Sequence, residues 1–241
     1  MKKKIICGAL CFNNEKTIHK VIKNLNKVKS KVDVIFINDY SSDETLNILK
    51  KANKKIISHK KNLGYGAAVK SSFNYANNNK YDFLIIFPGD NQRSIKDLLR
   101  IINHQKKFDY DLVSGSKFKT QNKLFITRKF GNILFSKFAE LFWNSSFKDN
   151  LSGFKIYKIK TFRKIIPLLG NDYSFDICLN QIVFRKKISC AEILVNCKYN
   201  KNTTKMKNIF NLTKKNIIFI GIKMIIDSII IFFKIKFFKK F

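Results

Sequence analysis

The sequence predicts an α/β fold: a doubly wound, mostly parallel sheet followed by a C-terminal amphipathic helix. Three observations carry this. Short apolar runs alternate with amphipathic stretches through the first half of the 241 residues, the rhythm of βα units with parallel strands. Tyr81 to Phe87 contains an unbroken apolar run, as expected of a strand covered on both faces. Polar clusters follow these runs at Asn13-Asn14-Glu15, Asn38-Asp39, Asn62 to Gly66 and Pro88 to Gln92, where sheets of this kind bind ligands.

Taken in order, Ile5 to Phe12 reads as the first strand. The opening MKKKIICGALCF has the basic start and short apolar run of a signal peptide, but it enters NNEKTI without a small-residue cleavage site. Lys16 to Val28 reads as a helix, with Ile18, Val21, Ile22, Leu25 and Val28 on one face. Strands follow at Val32 to Ile37, Ile56 to Ser58, Tyr81 to Phe87 and Asp111 to Ser114. Helices at Asp43 to Lys51, Gly66 to Asn77 and Ser94 to Asn103 separate them. From residue 116 the rhythm changes. Thr127 to Trp143 and Ser174 to Phe184 read as helices, Leu151 to Lys158 as a loop and strand, and Ile188 to Tyr199 as strand-like. No repeat or Gly/Ser linker intervenes, so 1–207 reads as one domain with halves 1–115 and 116–207, and 208–241 as a hydrophobic, basic tail.

Between Ile217 and Phe233 the tail is almost wholly Ile, Phe and Met, broken by Lys223 and Asp227. At helical spacing Asn216, Lys223, Asp227 and Lys234 fall within about 40° of one another, a narrow polar stripe on an apolar rod. A spanning helix would put Lys223 and Asp227 near mid-bilayer, at roughly 2.5–3.5 kcal/mol each unless paired. A helix packed on the domain is a second reading. The third, adopted here, is an interfacial helix that keeps the stripe wet while the lysines through Lys240 meet anionic headgroups.

The 48 Lys+Arg against 16 Asp+Glu give a formal charge of +32. Only Arg93, Arg100, Arg128, Arg163 and Arg185 are arginines, whereas base reading and bidentate phosphate contacts favour Arg. Lys, Asn and Ile are abundant throughout, the mark of A/T-rich codons, and the charge is read as attraction to anionic lipid or phosphorylated substrates, not nucleic acid. The five cysteines form no CxxC pair, which points to neither zinc nor a disulfide framework and suits a reducing compartment.

The sharpest local signal is INDYSSDET, Ile37 to Thr45. An acid at a strand end can receive base N–H groups or ribose hydroxyls, while Ser41, Ser42 or Asp43 can equally cap a helix. In FPGDNQ, Asp90 and Gln92 are oxygen ligands suited to a hard divalent cation on a diphosphate; the composition also suits a plain turn. NLGYGAA, Asn62 to Ala68, lets backbone approach a ligand at a helix start.

The order and spacing of these segments resemble the family 2 glycosyltransferases of the GT-A fold, especially the dolichol- and polyprenyl-phosphate sugar synthases. Phe12 to Ile18 is similar to YNEE-x-T-I, Asn38 to Thr45 to DDGSxDxT, Asn62 to Ala68 to N-x-G-x-G-x-A, and Gly89 to Gln92 to the end of D-x-D-G-Q. Gly115 to Phe118 resembles GSRY, Arg128 to Asn132 R-x-x-x-N, Asp149 to Lys155 D-x-x-SGFR, and Thr204-Lys205-Met206 a late SKM. The likeness runs from about residue 5 to 206. Pro88 replaces the first Asp of the metal motif, Asn38 and Tyr40 replace Asp and Gly of DDGS, Asn14 replaces a Glu, and Lys117 an Arg. QxxRW is absent.

The resemblance implies inverting transfer of a hexose from a GDP- or UDP-sugar to polyprenyl phosphate, at the cytoplasmic face of a membrane. It makes 1–115 the nucleotide-sugar half and 116–207 the acceptor half. Phe12, Asn14, Glu15, Asp39, Ser41, Asn62 and Gly64 would line the nucleotide site, Asp39 meeting the base. Asp90 and Gln92 would hold Mg²⁺ or Mn²⁺, a dependence that Pro88 puts in question, and Asp90 and Arg128 would act in catalysis. Lys117 and Arg128 would bind an acceptor phosphate, which is already anionic and needs no strong base. A sugar hydroxyl of a cell-surface glycan would need one, for which Asp176 and Asp149 are the candidates; an exposed Asp176 at a helix start is its plainer reading. A non-catalytic nucleotide-sugar binder is the alternative of another class. A peripheral or monotopic attachment leaves room for a membrane-protein partner.

Overall fold

The computed structural model describes residues 3–117, 126–197 and 223–233. Strands β1 (Ile5–Cys11), β2 (Asp33–Asn38), β3 (Ile56–Ser58), β4 (Phe83–Pro88), β5 (Leu112–Ser116), β6 (Lys155–Lys158) and β7 (Cys190–Leu194) form one sheet of order β3-β2-β1-β4-β6-β5-β7. Helices α1 (Glu15–Asn26), α2 (Thr45–Lys51), α3 (Tyr65–Asn78) and α4 (Ile95–Phe108) are the crossovers of the first half. Then come α5 (Ile126–Trp143), the single turn α6 (Ile159–Phe162), α7 (Phe175–Arg185) and α8 (223–233). Every strand pair is parallel except those that β6 makes with β4 and β5.

Alternation along the strands builds two apolar layers. Ile6, Ile35, Ile37, Leu84 and Ile86 face α3, α7 and α8. Ile5, Cys7, Ala9, Phe36, Phe83, Ile85 and Phe87 face α1, α2 and α4. The apolar stripe expected of α1 is buried at Ile18, Val21, Ile22 and Leu25. Helix α4 runs on to Phe108, beyond the expected end at Asn103. Ser94 caps its start by accepting from Asp97 N at 3.1 Å, and Asp109, in the left-handed region at φ 51°, ends it.

The insertion of β6 between β4 and β5 is what the linear pattern does not reveal. It pairs only with Phe83–Ile85 of β4, so the missing N–H of Pro88 lies beyond that ladder, where proline is tolerated. The strands after β1 run outward through β2 to β3, whereas β4 starts on the other side of β1. The switch point between β1 and β4 is where a sheet of this topology opens a crevice.

Of the stripe expected to face solvent, Lys223 is about half exposed and also pairs with the domain. In α8 the Lys223 ammonium donates to Asp172 and, at 2.9 Å, to Asp227 Oδ2. Ser228 Oγ donates to Gln181 Oε1 at 3.0 Å, and Ile231 is buried in the core. The polar side docks the helix, and Ile225, Ile226, Ile229, Ile230 and Phe233 face outward. No helix of the described residues is long and apolar enough to cross a membrane. Asn216, Lys234, Lys240 and Thr204-Lys205-Met206 lie outside the described residues.

Candidate active site

A cleft of about 440 Å³ opens at the carboxyl ends of β1, β2 and β4. It is lined by Phe12, Asn14, Asp39, Asn62, Gly64, Tyr65, Asp90, Gln92, Arg93, Lys117 and Tyr173, among others, and its size suits a small-molecule ligand. Segments some 100 residues apart in the sequence thus meet at one place.

Its floor is a set of loops tied by side-chain-to-backbone hydrogen bonds. Asn14 Oδ1 accepts from Phe12 N at 2.9 Å, and Asn14 N donates to Thr45 Oγ1 at 2.7 Å. Ser41 Oγ accepts from Asn13 N at 3.0 Å, and Asp43 Oδ2 from Glu15 N at 3.0 Å. Glu15 returns the bond, accepting from Glu44 N at 3.3 Å. Ser41 and Glu15, expected in the nucleotide site, therefore join the loops after β1 and β2 and are not part of the cleft lining. Asn38 donates to Ser58 Oγ at 2.8 Å while accepting from Ser41 N at 3.3 Å. A carboxylate there could meet both groups only as an acceptor, with the Ser58 hydroxyl turned to donate.

Asp39 is buried yet reaches the cleft. Its Oδ1 accepts from Leu63 N at 2.8 Å and meets His59 Nδ1 at 2.7 Å, and its Oδ2 accepts from Gly64 N at 2.9 Å. His59 Nε2 in turn meets Ser71 Oγ at 2.8 Å, which orients the ring. A carboxylate has about four acceptor sites; three are filled, leaving room for about one more donor. Gly64 sits at φ 92°, and a Cβ there would stand 2.7 Å from Asn171 O, so both conformation and space require glycine.

At the other end Gly89 N donates to Leu10 O at 2.8 Å, and Thr17 Oγ1 donates to Gly89 O at 2.9 Å. A Cβ on Gly89 would lie 2.7 Å from Leu10 O, which explains a glycine between Pro88 and Asp90. Asp90 Oδ1 accepts from Gln92 N at 3.0 Å, and Cys197 Sγ lies 3.5 Å from Gln92 Oε1. Among the described residues no group of three or more His, Cys, Asp or Glu could hold a metal. The donor set of one carboxylate and one amide suits an ion that completes its shell from substrate phosphates and water, as Mg²⁺ commonly does.

The second half supplies the far wall. Lys117 lines the cleft, and its N–H donates to Asp149 Oδ2 at 3.2 Å. Asp149 is fully buried, and its own N–H donates to Glu192 Oε1 at 2.9 Å. Asp176 corrects the expectation of an exposed acid: only 5% exposed, it is ion-paired with the fully buried Lys155. It stands behind Gly153 and Tyr65 and outside the cleft lining. Burial first, then the Asp176 carboxylate, hold the Tyr65 phenol well above its ordinary pKa. Tyr65 stacks on Tyr173 with ring centres 6.4 Å apart. The backbone at Arg128 belongs to α5, but its side chain and residues 118–125 lie outside the described residues.

Lys155, Tyr65 and Arg93 entered the sequence reading only as members of longer segments or counts, and His59 not at all, so none of the four was singled out for the site. A lysine opening the apolar strand KIYK was the one local sign, since a buried lysine needs a paired acid.

A model of glycosyl transferase family 2 matches residues 9–166. An uncharacterized protein of Methanocaldococcus jannaschii is 28% identical over 189 residues, 77% of each chain. The dolichyl-phosphate beta-glucosyltransferase of Dictyostelium discoideum is 28% identical over 190 residues, 72% of this chain and 57% of that one. Among solved structures, glucosyl-3-phosphoglycerate synthase of Mycobacterium tuberculosis, in complex with Mn²⁺, UDP and glucosyl-3-phosphoglycerate, superposes with a TM-score of 0.63. It is 15% identical, with 89% of this chain and 77% of that chain covered, which places the fold.

Proposed function

The chain belongs to glycosyl transferase family 2 and is a glycosyltransferase, and from that premise we propose that it transfers a hexose from a GDP- or UDP-sugar to polyprenyl phosphate with inversion. The observation that carries this reading is the cleft at the β1–β4 switch point, with Asp39 at one end and Asp90, Gln92 and Lys117 at the other. The likeness to a dolichyl-phosphate glucosyltransferase supports the lipid-phosphate acceptor.

In this reading the remaining acceptor site of Asp39 takes an N–H of the base. Asp90 and Gln92 would hold a Mg²⁺ or Mn²⁺, supplying positive charge against the diphosphate; the Mn²⁺ and UDP of the mycobacterial synthase support this. Lys117, with Arg128, steadies the acceptor phosphate. One of its oxygens attacks the anomeric carbon in line, the bond to the diphosphate breaks, and its electron pair leaves with the nucleoside diphosphate. An ionised phosphate has no proton to lose, so alignment and charge stabilisation suffice. This suits a site whose two candidate bases, Asp149 and Asp176, are buried, bonded and outside the cleft lining; Asp176 then props the wall.

The outward row of α8 extends the proposal to the membrane. Arg185 donates to Phe142 O at 3.1 Å and lies 4.1 Å from the Phe232 ring centre, joining α8 to the exposed Leu141 and Phe142 of α5. This apolar face, with the basic tail, would rest in the cytoplasmic leaflet. It brings the cleft to a membrane-borne acceptor.

Incubation with labelled GDP-mannose or UDP-glucose, polyprenyl phosphate and detergent tests this. Label in the organic phase is expected. Label transferred only to glycan acceptors would move the assignment to polysaccharide assembly, and no turnover with any acceptor would favour a binding protein.

A further inference from the structure

Arg93 follows directly on Gln92, where the metal-motif resemblance ends, and neither the motifs nor the reaction above give it a role. It is only 6% exposed and lines the cleft. Its guanidinium carbon lies 5.4 Å from the centre of the Phe154 ring, a cation–π contact. Its Nη1 is buried with no hydrogen-bond partner, and it forms no ion pair among the described residues. Arginine stays charged in a protein, and a buried charge without a partner is too costly to leave unused.

The three acids that line the cleft form no ion pair with it. Asp39 is taken up by His59 and the Leu63–Gly64 backbone, Asp172 by Lys223 and Ser174, and Asp90 accepts from Gln92 N. Pro88 stands where a further carboxylate would have offered itself. The corner of the cleft therefore has one acid fewer and one fixed cation more than a site built around a metal alone.

We propose that Arg93 is a phosphate ligand of the cleft, its Nη1 donating to an oxygen of the bound phosphoryl group. The planar fork suits that partner as a lysine does not. The inference rests on the nucleotide-sugar reading and deepens it. The donor diphosphate is gripped partly by the protein itself, so donor binding outlasts removal of divalent ions.

The test is titration calorimetry in EDTA at fixed ionic strength, using UDP, GDP, uridine, guanosine and farnesyl phosphate as probes. Wild type is compared with R93Q and R93K. The expected result is a preference for nucleoside diphosphate over nucleoside that falls about tenfold or more in R93Q, as for a lost charge-assisted hydrogen bond, and recovers in part in R93K. The preference is a ratio within each variant, so a smaller folded fraction does not imitate its loss. An unchanged nucleotide ratio with weakened farnesyl phosphate binding supports the same ligand role and assigns it to the acceptor. If R93Q matches wild type for both probes, the proposal fails while the reading of the cleft stands. If wild type itself does not prefer diphosphate to nucleoside, the reading fails and the proposal with it.

Discussion

The loops that carry the first half of the cleft and the wall that the second half supplies are held by different physics. After β1, β2 and β4 the chain is stitched by short side chains to nearby backbone: Asn14 satisfies an N–H of its own loop, and Ser41, Asp43, Asp39 and Thr17 satisfy N–H or C=O groups of a neighbouring one. Across from them the wall depends on charges distant in sequence, with Lys155 on Asp176 and Lys223 on Asp172. Stitching of the first kind needs particular residue types at fixed offsets and so leaves a motif. Pairing of the second kind needs only that two elements meet, and it leaves none.

The largest expected effect breaks the wall. Lys155→Met strands the buried Asp176 carboxylate and should cost about 3–5 kcal/mol, a fall in thermal midpoint of roughly 10 °C. Adding Asp176→Leu should restore most of it. A single variant as stable as wild type would mean that the pair is not structural.

Next comes the stitched side. Asp39→Asn replaces one of the two acceptor oxygens by an NH₂, which then faces either the Gly64 donor or the Leu63 and His59 pair. It should cost about 1–3 kcal/mol and weaken UDP or GDP binding at least about tenfold. Unchanged nucleotide affinity in a titration would remove Asp39 from the donor site.

The docking of α8 should respond to acid. Burial alone would raise the Asp172 pKa, but the Lys223 ammonium and Ser174 outweigh it and hold it below the ordinary 3.8. Its contribution is thus present above 3.8 and lost as pH falls through the lower folded value. The same bonds, led by that to Asp172, push Lys223 above its ordinary 10.5, so its side of the pair fails only in strong base. Trp143, the chain's one tryptophan, packs on Met224 of α8 and reports the event. Its fluorescence should hold through neutral pH and shift only in acid, below 3.8. A shift near neutrality would contradict the pairing.

The smallest effect lies at Tyr40, where the family pattern has glycine. Its φ of 59° is left-handed and its ring is exposed, so Tyr40→Gly should stabilise by about 1 kcal/mol in a denaturant melt. A loss of stability would show that the ring makes contacts that matter.

The same contrast governs how much was legible in the sequence. The strands of the first half, the α1 stripe and the gathering of Asp39, Gly64, Asp90 and Gln92 follow from periodicity and turn chemistry, both local. The antiparallel insertion of β6 between β4 and β5, the pairing of Asp176 with Lys155 and the docking of Lys223 on Asp172 all depend on partners distant in the sequence, 21 and 51 residues away for the two ion pairs. The stripe of α8 illustrates the limit: spacing fixes that Lys223 and Asp227 share a side, but only the presence of Asp172 opposite decides which way that side faces. Arg93 escaped for a similar reason, since the ring it lies against, Phe154, comes from a distant part of the chain.

Amide hydrogen exchange with and without saturating UDP- or GDP-sugar tests most directly whether the β1–β4 crevice is the donor site. Slowed exchange should be confined to Phe12–Glu15, Leu63–Tyr65 and Gly89–Arg93, the segments around the cleft. Protection centred instead on a second cavity, beside Lys29, Asn53 and Tyr81, or protection nowhere, would contradict it.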